Sequence, residues 1–176
     1  LSERLDPARA LRHPVAMSKS LKRVRAALKD AGLDPDIRET DLARTAADAA
    51  RAVGCGVDQI AKSIVFLGEH SGEVLLFLTA GGNRVDPDRA AALAGEPLGK
   101  ADAALVRSRT GFAIGGVAPV GHLSPIPAFL DLRLTDFDRV WAAAGTPHHV
   151  FPISPLDLQR ISDAQISDFT IKKEEM

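Results

Sequence analysis

The sequence predicts one domain of the α/β (α+β) class: a mixed, curved or barrel-like sheet with helices packed around it. Three observations carry this. Two apolar runs, residues 63–67 and 74–79, flank the turn-forming segment Gly68-Glu69-His70-Ser71-Gly72, as a β-hairpin requires. Segments of helical period begin at capping residues and stop at glycines. Strand and helix patterns then alternate irregularly, which disfavours a purely parallel, doubly wound sheet. A chain of 176 residues, 45% hydrophobic and 26% charged, suits a single core.

In chain order, residues 1–17 read as an extension, because Pro7 and Pro14 interrupt any helix. The compact domain is expected over 18–170, followed by a charged tail, 171–176. Leu21, Val24, Ala27, Leu28 and Ala31 repeat at helical spacing, and Gly32 is the stop. The other face of that helix carries Lys19, Lys22, Arg23, Arg25 and Lys29, a pattern of a solvated surface or of a place where a polyanion lies down. Thr45 opens a second helix with Asp48 three residues on, Ala46, Ala49, Ala50 and Val53 as its inner stripe and Gly54 at its end. A short helix over 57–61 is expected to deliver the chain to Lys62. Asp86-Pro87 opens a third long helix. Residues 102–110 read as helical, residues 113–116, 126–130 and 140–144 as strands, and Ser154-Pro155 as the start of a late helix.

The formal net charge of -1 argues against a protein that is basic as a whole, so DNA is not an expected partner. The single cysteine, Cys55, permits no intramolecular disulfide and fits a cytoplasmic setting. No apolar stretch reaches bilayer length, and no membrane partner is expected. The nucleotide loops Gly-x-x-x-x-Gly-Lys-Ser/Thr and Gly-x-Gly-x-x-Gly are missing, as are His-Glu-x-x-His, Cys-x-x-Cys and Gly-x-Ser-x-Gly. Neither a metal site nor a cofactor is expected.

Two features remain as a candidate site. Lys62 stands directly before the apolar run Ser63-Ile64-Val65-Phe66-Leu67, where its ammonium either reaches back to water or is held for an anion. The segment Gly111-Phe112-Ala113-Ile114-Gly115-Gly116-Val117-Ala118-Pro119-Val120-Gly121 combines glycine freedom with a fixed proline. It reads as a tight turn between strands or as a stiff loop that aims backbone N–H and C=O groups at a small polar ligand.

These segments resemble the editing domain of prolyl-tRNA synthetase and its free-standing YbaK-type relatives, which hydrolyse mischarged aminoacyl-tRNA. The matching pieces, in order, are Thr45-Ala46-Ala47-Asp48-Ala49-Ala50, Gln59-Ile60-Ala61-Lys62-Ser63-Ile64-Val65-Phe66, Asn83-Arg84-Val85-Asp86, residues 111–121, 127–131 and Trp141-Ala142-Ala143-Ala144-Gly145. They span about residues 20–168. The resemblance implies that Lys62 engages the 3′-terminal adenosine end of tRNA. It implies that Gly115-Gly116-Val117-Ala118-Pro119 is the family's Gly-x-x-x-Pro loop, whose backbone places the aminoacyl group and the attacking water. His148 matches a less constant pocket histidine, with an alignment that can slip to His149.

Candidate wall residues are Ser63, Ile64, Val65, Phe77, Phe112, Ile114 and His148, each of which also reads as ordinary core or strand-end chemistry. Asp131 reads as a capping or pairing residue. The implied reaction is hydrolysis of an ester carrying a small non-cognate residue such as alanine, serine, threonine or cysteine. It needs a placed water and a stabilised oxyanion. The implied partner is the aminoacylated 3′ end of tRNA, with an aminoacyl-tRNA synthetase as a further one. The competing readings are a non-catalytic tRNA- or partner-binding module and a hydrolase of free small esters or amides.

Overall fold

The computed structural model describes residues 18–172. The extension expected over 1–17 and the tail residues 173–176 lie outside this range. Five helices and eight strands are present among the described residues. Helix α1, Lys19–Asp30, is capped by Ser18, whose side chain accepts from the Leu21 N–H. The two-residue strand β1, Arg38–Glu39, follows. Helix α2, Ala46–Val53, opens on the Thr45 hydroxyl, which accepts from the Asp48 N–H, and ends at left-handed Gly54. One 3₁₀ turn, Val57–Gln59, stands where a short helix to residue 61 was expected. Strand β2, Ile60–Gly68, starts directly after it, so Lys62 lies inside a strand rather than before one.

Strand β3 is Val74–Ala80 and helix α3 is Pro87–Ala94, capped by Asp86. Strand β4, Leu98–Lys100, and helix α4, Ala103–Thr110, capped by Asp102, come next. The chain then forms strands β5, Ala128–Asp131, β6, Val140–Ala143, and β7, His149–Ile153. Helix α5, Pro155–Ser162, and strand β8, Gln165–Ser167, finish it. No helix among these is long and apolar enough to cross a membrane.

The strands form one mixed sheet in the order β1-β7-β6-β2-β3-β5-β8, with β4 added to β2. The sheet is not closed, because β1 and β8 are not paired with each other. Period-two alternation sends the two sides of β3 into different clusters. Leu76, Leu78 and Ala80 meet Leu21, Val24 and Leu28 of α1, Val106 of α4 and Leu158 of α5 in the main core. Leu75 and Phe77 point to the other face, with Phe129, Phe169 and Ala90 of α3. There Phe77 stacks on Phe129 at 4.8 Å and meets Phe169 edge-on at 5.0 Å. Ala49 and Ala50 of α2 pack on Ile60 and Trp141.

One irregularity in this sheet places the site. Strand β2 pairs with β3 along its whole central length, from Ala61 to Leu67. On its other edge β6 pairs only at Ile60 and Ala61, and β4 only from Phe66 onward. Residues 62–65 therefore face a gap with no strand beyond it. The Leu76 N–H goes to Pro127 O and the Ala80 N–H to Asp131, away from β2. The alternation of an antiparallel ladder then turns the main-chain groups of Ser63 away from β3 and toward the gap.

The expected strand over 113–116 is absent. Those residues are a turn closed by the Gly116 N–H on Ala113 O at 3.0 Å, and Gly115 has φ +91°. Glycine at a positive φ leaves the extended region, so the apolar run cannot pair as a ladder. At the C-terminal end, the Ile171 N–H donates to Arg84 O and Lys172 pairs with Asp168, so these two residues fold against the domain.

Candidate active site at the gap in the sheet

A cavity of about 630 Å³ opens at this gap. Its floor is Lys62, Ser63 and Ile64 of β2, with Trp141 and Ala142 of β6. One wall is the entrance to α2, from Ala43 to Ala47. The facing wall is Gly115 and Val117 of the 111–121 loop, with Thr146, Pro147 and His149 beside it. Lys62 and the turn at Gly115, with the exposed side chain of Ile114 in the same turn, thus line one hollow. Among the described residues, the ionisable side chains that line it are Arg44, Lys62 and His149, with no carboxylate. A polar or anionic ligand suits such a lining.

The Lys62 side chain is held from behind. Its Nζ donates to Gly81 O at 3.2 Å and to Asn83 O at 2.6 Å. An ammonium has three N–H bonds, so one donor remains beyond these two. Burial, seconded by the Arg84 charge, pulls the Lys62 pKa below the usual lysine value, while Asp131 and Asp58 oppose the shift.

The turn that receives the ammonium is itself anchored. Gly82 N–H donates to Asp58 Oδ1 at 2.9 Å, and side chains at Gly81 or Gly82 would collide with Val57 O or Asp58. Asp131, only 2% exposed, takes the Ala80 N–H and Asn83 Nδ2 on Oδ2, each at 3.0 Å. Its Oδ1 accepts the Arg133 N–H at 3.0 Å. Asp131 therefore caps and pairs, as its sequence position suggested, and in doing so fixes the carbonyl that holds Lys62. Replacing Asp131 with alanine strands three donors. The expected cost is at least about 2 kcal/mol, read as a fall in melting temperature of about 4 °C or more. An unchanged melting temperature would remove Asp131 from this role.

The 111–121 loop is tied to the floor by Ser63, whose Oγ donates to Val117 O at 2.7 Å. Ser63 is thus engaged with the loop rather than free for a polar ligand. Ser63→Ala is expected to lower the free energy of loop opening by roughly 1 kcal/mol, the value of one such bond; native-state amide exchange over residues 112–118 measures it. Val117 is buried and still reaches the cavity.

The other candidates lie elsewhere. Gly116 does not line the cavity; its α-carbon faces the Thr146 backbone, where a Cβ would come within 2.7 Å of the Thr146 Cα. Ala118 is fully buried, with its carbonyl accepting from His122 Nε2 at 2.6 Å. Pro119 lines a separate, shallower groove behind the loop. Phe112 is fully buried beneath the Arg23 guanidinium. Phe77 belongs to the aromatic cluster on the far face.

His148 is exposed and outside the cavity, and its neighbour His149 lines it. His148 stands in the turn just before β7, whereas His149 begins that strand, paired with Glu39 of β1. Burial, against the opposing charge of Glu39, lowers the His149 pKa below the usual imidazole value, which favours the neutral ring. Thr146 Oγ accepts the His148 N–H at 3.1 Å and is hydrogen-bonded to His149 Nδ1 at 2.6 Å, which fixes the orientation of the ring.

Sequence reasoning read Thr45 as a helix start but missed Arg44 and the place of this segment in the cavity wall, because a single arginine ahead of a cap gives no periodic signal. Cys55 donates to Gly56 O, and burial raises its thiol pKa, which suits an inert residue. No group of three or more His, Cys, Asp or Glu among the described residues is arranged to hold a metal ion.

The architecture and these segments have counterparts in known proteins. A crystal structure of a candidate trans-editing enzyme for prolyl tRNA synthetase is 45% identical, with a TM-score of 0.83, covering 89% of this chain and 100% of that one. A scaffold used for computational grafting of linear epitopes is 44% identical over the same shares, also with a TM-score of 0.83. The uncharacterized protein YwhH of Bacillus subtilis (strain 168) is 29% identical over 148 residues, 84% of this chain and 94% of that protein. Residues 40–161 match the family of aminoacyl-tRNA editing domains, a span that holds β2, the 111–121 loop and every wall of the cavity. The chain belongs to the aminoacyl-tRNA editing domain family.

Proposed function

We propose that the protein is a deacylase that acts in trans on mischarged tRNA, hydrolysing the ester between a small non-cognate amino acid and the terminal ribose. The observation that carries this reading is the shared cavity of Lys62 and the Gly115 turn, open at a gap in the sheet and lined by cations without an acid. An aminoacyl ester is already activated, so rate enhancement can come from placement and from stabilising the oxyanion. The oxygen of water bonds to the ester carbonyl carbon, the bond from that carbon to the ribose oxygen breaks, and the ribose oxygen takes up a proton. Free amino acid and tRNA are the products.

The chain offers donors for the developing oxyanion. Neither the Gly115 nor the Val117 main-chain N–H has a protein acceptor among the described residues. Lys62 keeps one N–H beyond those given to Gly81 and Asn83 and binds the polar terminal nucleotide. Arg44 adds a second cation at the α2 wall, suited to a phosphate of the acceptor end. Apolar groups of Ile64, Ala46, Trp141 and Val150 bound the space for the amino-acid side chain and favour a small one. The similarity to a candidate trans-editing enzyme supports a role beside a prolyl-tRNA synthetase, with proline tRNA as the first substrate to test.

The test is a deacylation screen across tRNAs charged with alanine, serine, threonine, cysteine and proline. Release of one or more small residues, with proline spared, is the expected result. Binding of tRNA without release of any amino acid would replace the hydrolase with a binding module. Equal hydrolysis of free amino-acid esters would show that the tRNA end is not required.

A further inference from the structure

The basic face of α1 does not only meet solvent. Arg23 turns inward and joins the two ends of the 111–121 loop. Its Nη2 donates to Gly111 O at 2.6 Å and its Nε donates to Gly121 O at 3.3 Å. The same guanidinium lies over the Phe112 ring, 4.8 Å from the centroid. Both carbonyls belong to glycines of positive φ, +82° and +78°. A side chain at Gly111 would strike the Arg23 guanidinium, and one at Gly121 would come within 3.3 Å of Arg23 O. The glycines thus permit the approach that the arginine exploits.

Neighbouring contacts tie α1 to the cavity from the same side. Ser20 Oγ donates to Gly111 O at 3.4 Å, and Gly145, at the turn that leads to Pro147 and His149, packs within reach of Ser20 O. On the loop itself His122 holds Ala118 O and meets Phe112 edge-on at 6.0 Å.

We propose that Arg23 is a positioning residue: by clasping Gly111 and Gly121 it sets the conformation of the loop, and so the placement of Gly115 and Val117 in the cavity. The planar guanidinium presents two different nitrogens, Nε and Nη2, to the two carbonyls, a fork that lysine does not have. The inference rests on the deacylase reading for its effect on rate, but not for its effect on the loop.

The experiment compares wild type with Arg23→Met, Arg23→Lys and Lys22→Met, the last removing one charge from the exposed face of the same helix. Amide exchange over residues 112–121 is expected to speed up about tenfold or more in Arg23→Met, less in Arg23→Lys, and not at all in Lys22→Met. Deacylation by Arg23→Met is expected to lose about 10- to 100-fold in kcat with KM changed less than about threefold, because misplacement by an ångström is felt in the chemical step. Unchanged loop exchange in a folded Arg23→Met overturns the clasp, and a loosened loop with kcat intact overturns the positioning role in catalysis. Should Arg23→Met fail to fold, the exchange and kcat of Arg23→Lys decide between the same outcomes. A wild-type protein that releases no amino acid from any mischarged tRNA would defeat the functional reading alone, and loop exchange would then judge the clasp by itself.

Discussion

Lys62→Ala is expected to lower kcat for deacylation about 100- to 1000-fold, the loss seen when one preorganised donor is removed from a site of developing charge. The fold should survive it. The substitution strands Gly81 O and Asn83 O, which costs stability, but it also removes a charge whose burial is unfavourable. Circular dichroism and a melting curve close to wild type would confirm that activity, not structure, is lost. Wild-type turnover by this variant would remove Lys62 from the mechanism.

The lowered pKa gives the same residue a pH signature. The folded protein holds the Lys62 proton less tightly than the unfolded chain does. Between the folded and the unfolded pKa the unfolded state therefore binds more protons, and the contribution of this group to stability rises with pH. Activity runs the other way, because the ammonium is lost as pH rises through the folded value. An alkaline decline in enzyme-catalysed rate, after subtraction of spontaneous ester hydrolysis, is expected at a pH below that of free lysine. It should be absent from the residual rate of Lys62→Ala.

The second large effect is expected at Gly116 rather than at Gly115. A methyl group at Gly116 meets the Thr146 backbone at 2.7–2.9 Å, where no flexible side chain can yield. Gly116→Ala must separate the loop from the turn that bears Pro147 and His149, and overpacking of this kind costs about 1–3 kcal/mol. The two parts of the wall that faces α2 then move apart, and kcat is expected to fall by about 100-fold. Gly115→Ala has more room, its nearest neighbour being Pro147 Cγ at 3.9 Å. Its penalty is the +91° φ, about 1–2 kcal/mol for a residue with a side chain. Melting temperatures and kcat of the two variants, measured together, separate collision from backbone strain. Equal, wild-type behaviour of Gly116→Ala would show that the loop and the Thr146 turn are not packed as described.

Much of the fold was legible. Local signals marked several helices: Thr45 and Gly54 the start and stop of α2, and Asp86-Pro87 the start of α3, none of which needs a tertiary partner. The β2–β3 hairpin was legible for the same reason, since its turn and both apolar runs are contiguous. Strands β1, β4 and β8 were not, because two or three residues are too few to show a period and their pairing comes from distant segments. The strand expected over 113–116 failed because apolar content alone does not distinguish a buried loop from a strand.

By itself the sequence determined the chemical parts of this protein: a lysine in an apolar strand, a glycine-rich loop that can take positive φ, capped helices and a hairpin. Those depend on residue type and near neighbours. Tertiary structure alone decided which parts meet. The gap beside residues 62–65 exists because β6 and β4 leave β2 at different points, and it is this divergence that lets Lys62 and Gly115 share a cavity. That His149 and not His148 lines the cavity emerges only in the folded chain, and the hold of Arg23 on Gly111 and Gly121 spans 88 and 98 residues of chain. Contacts of that range are set by how packed elements are oriented, which local periodicity does not encode.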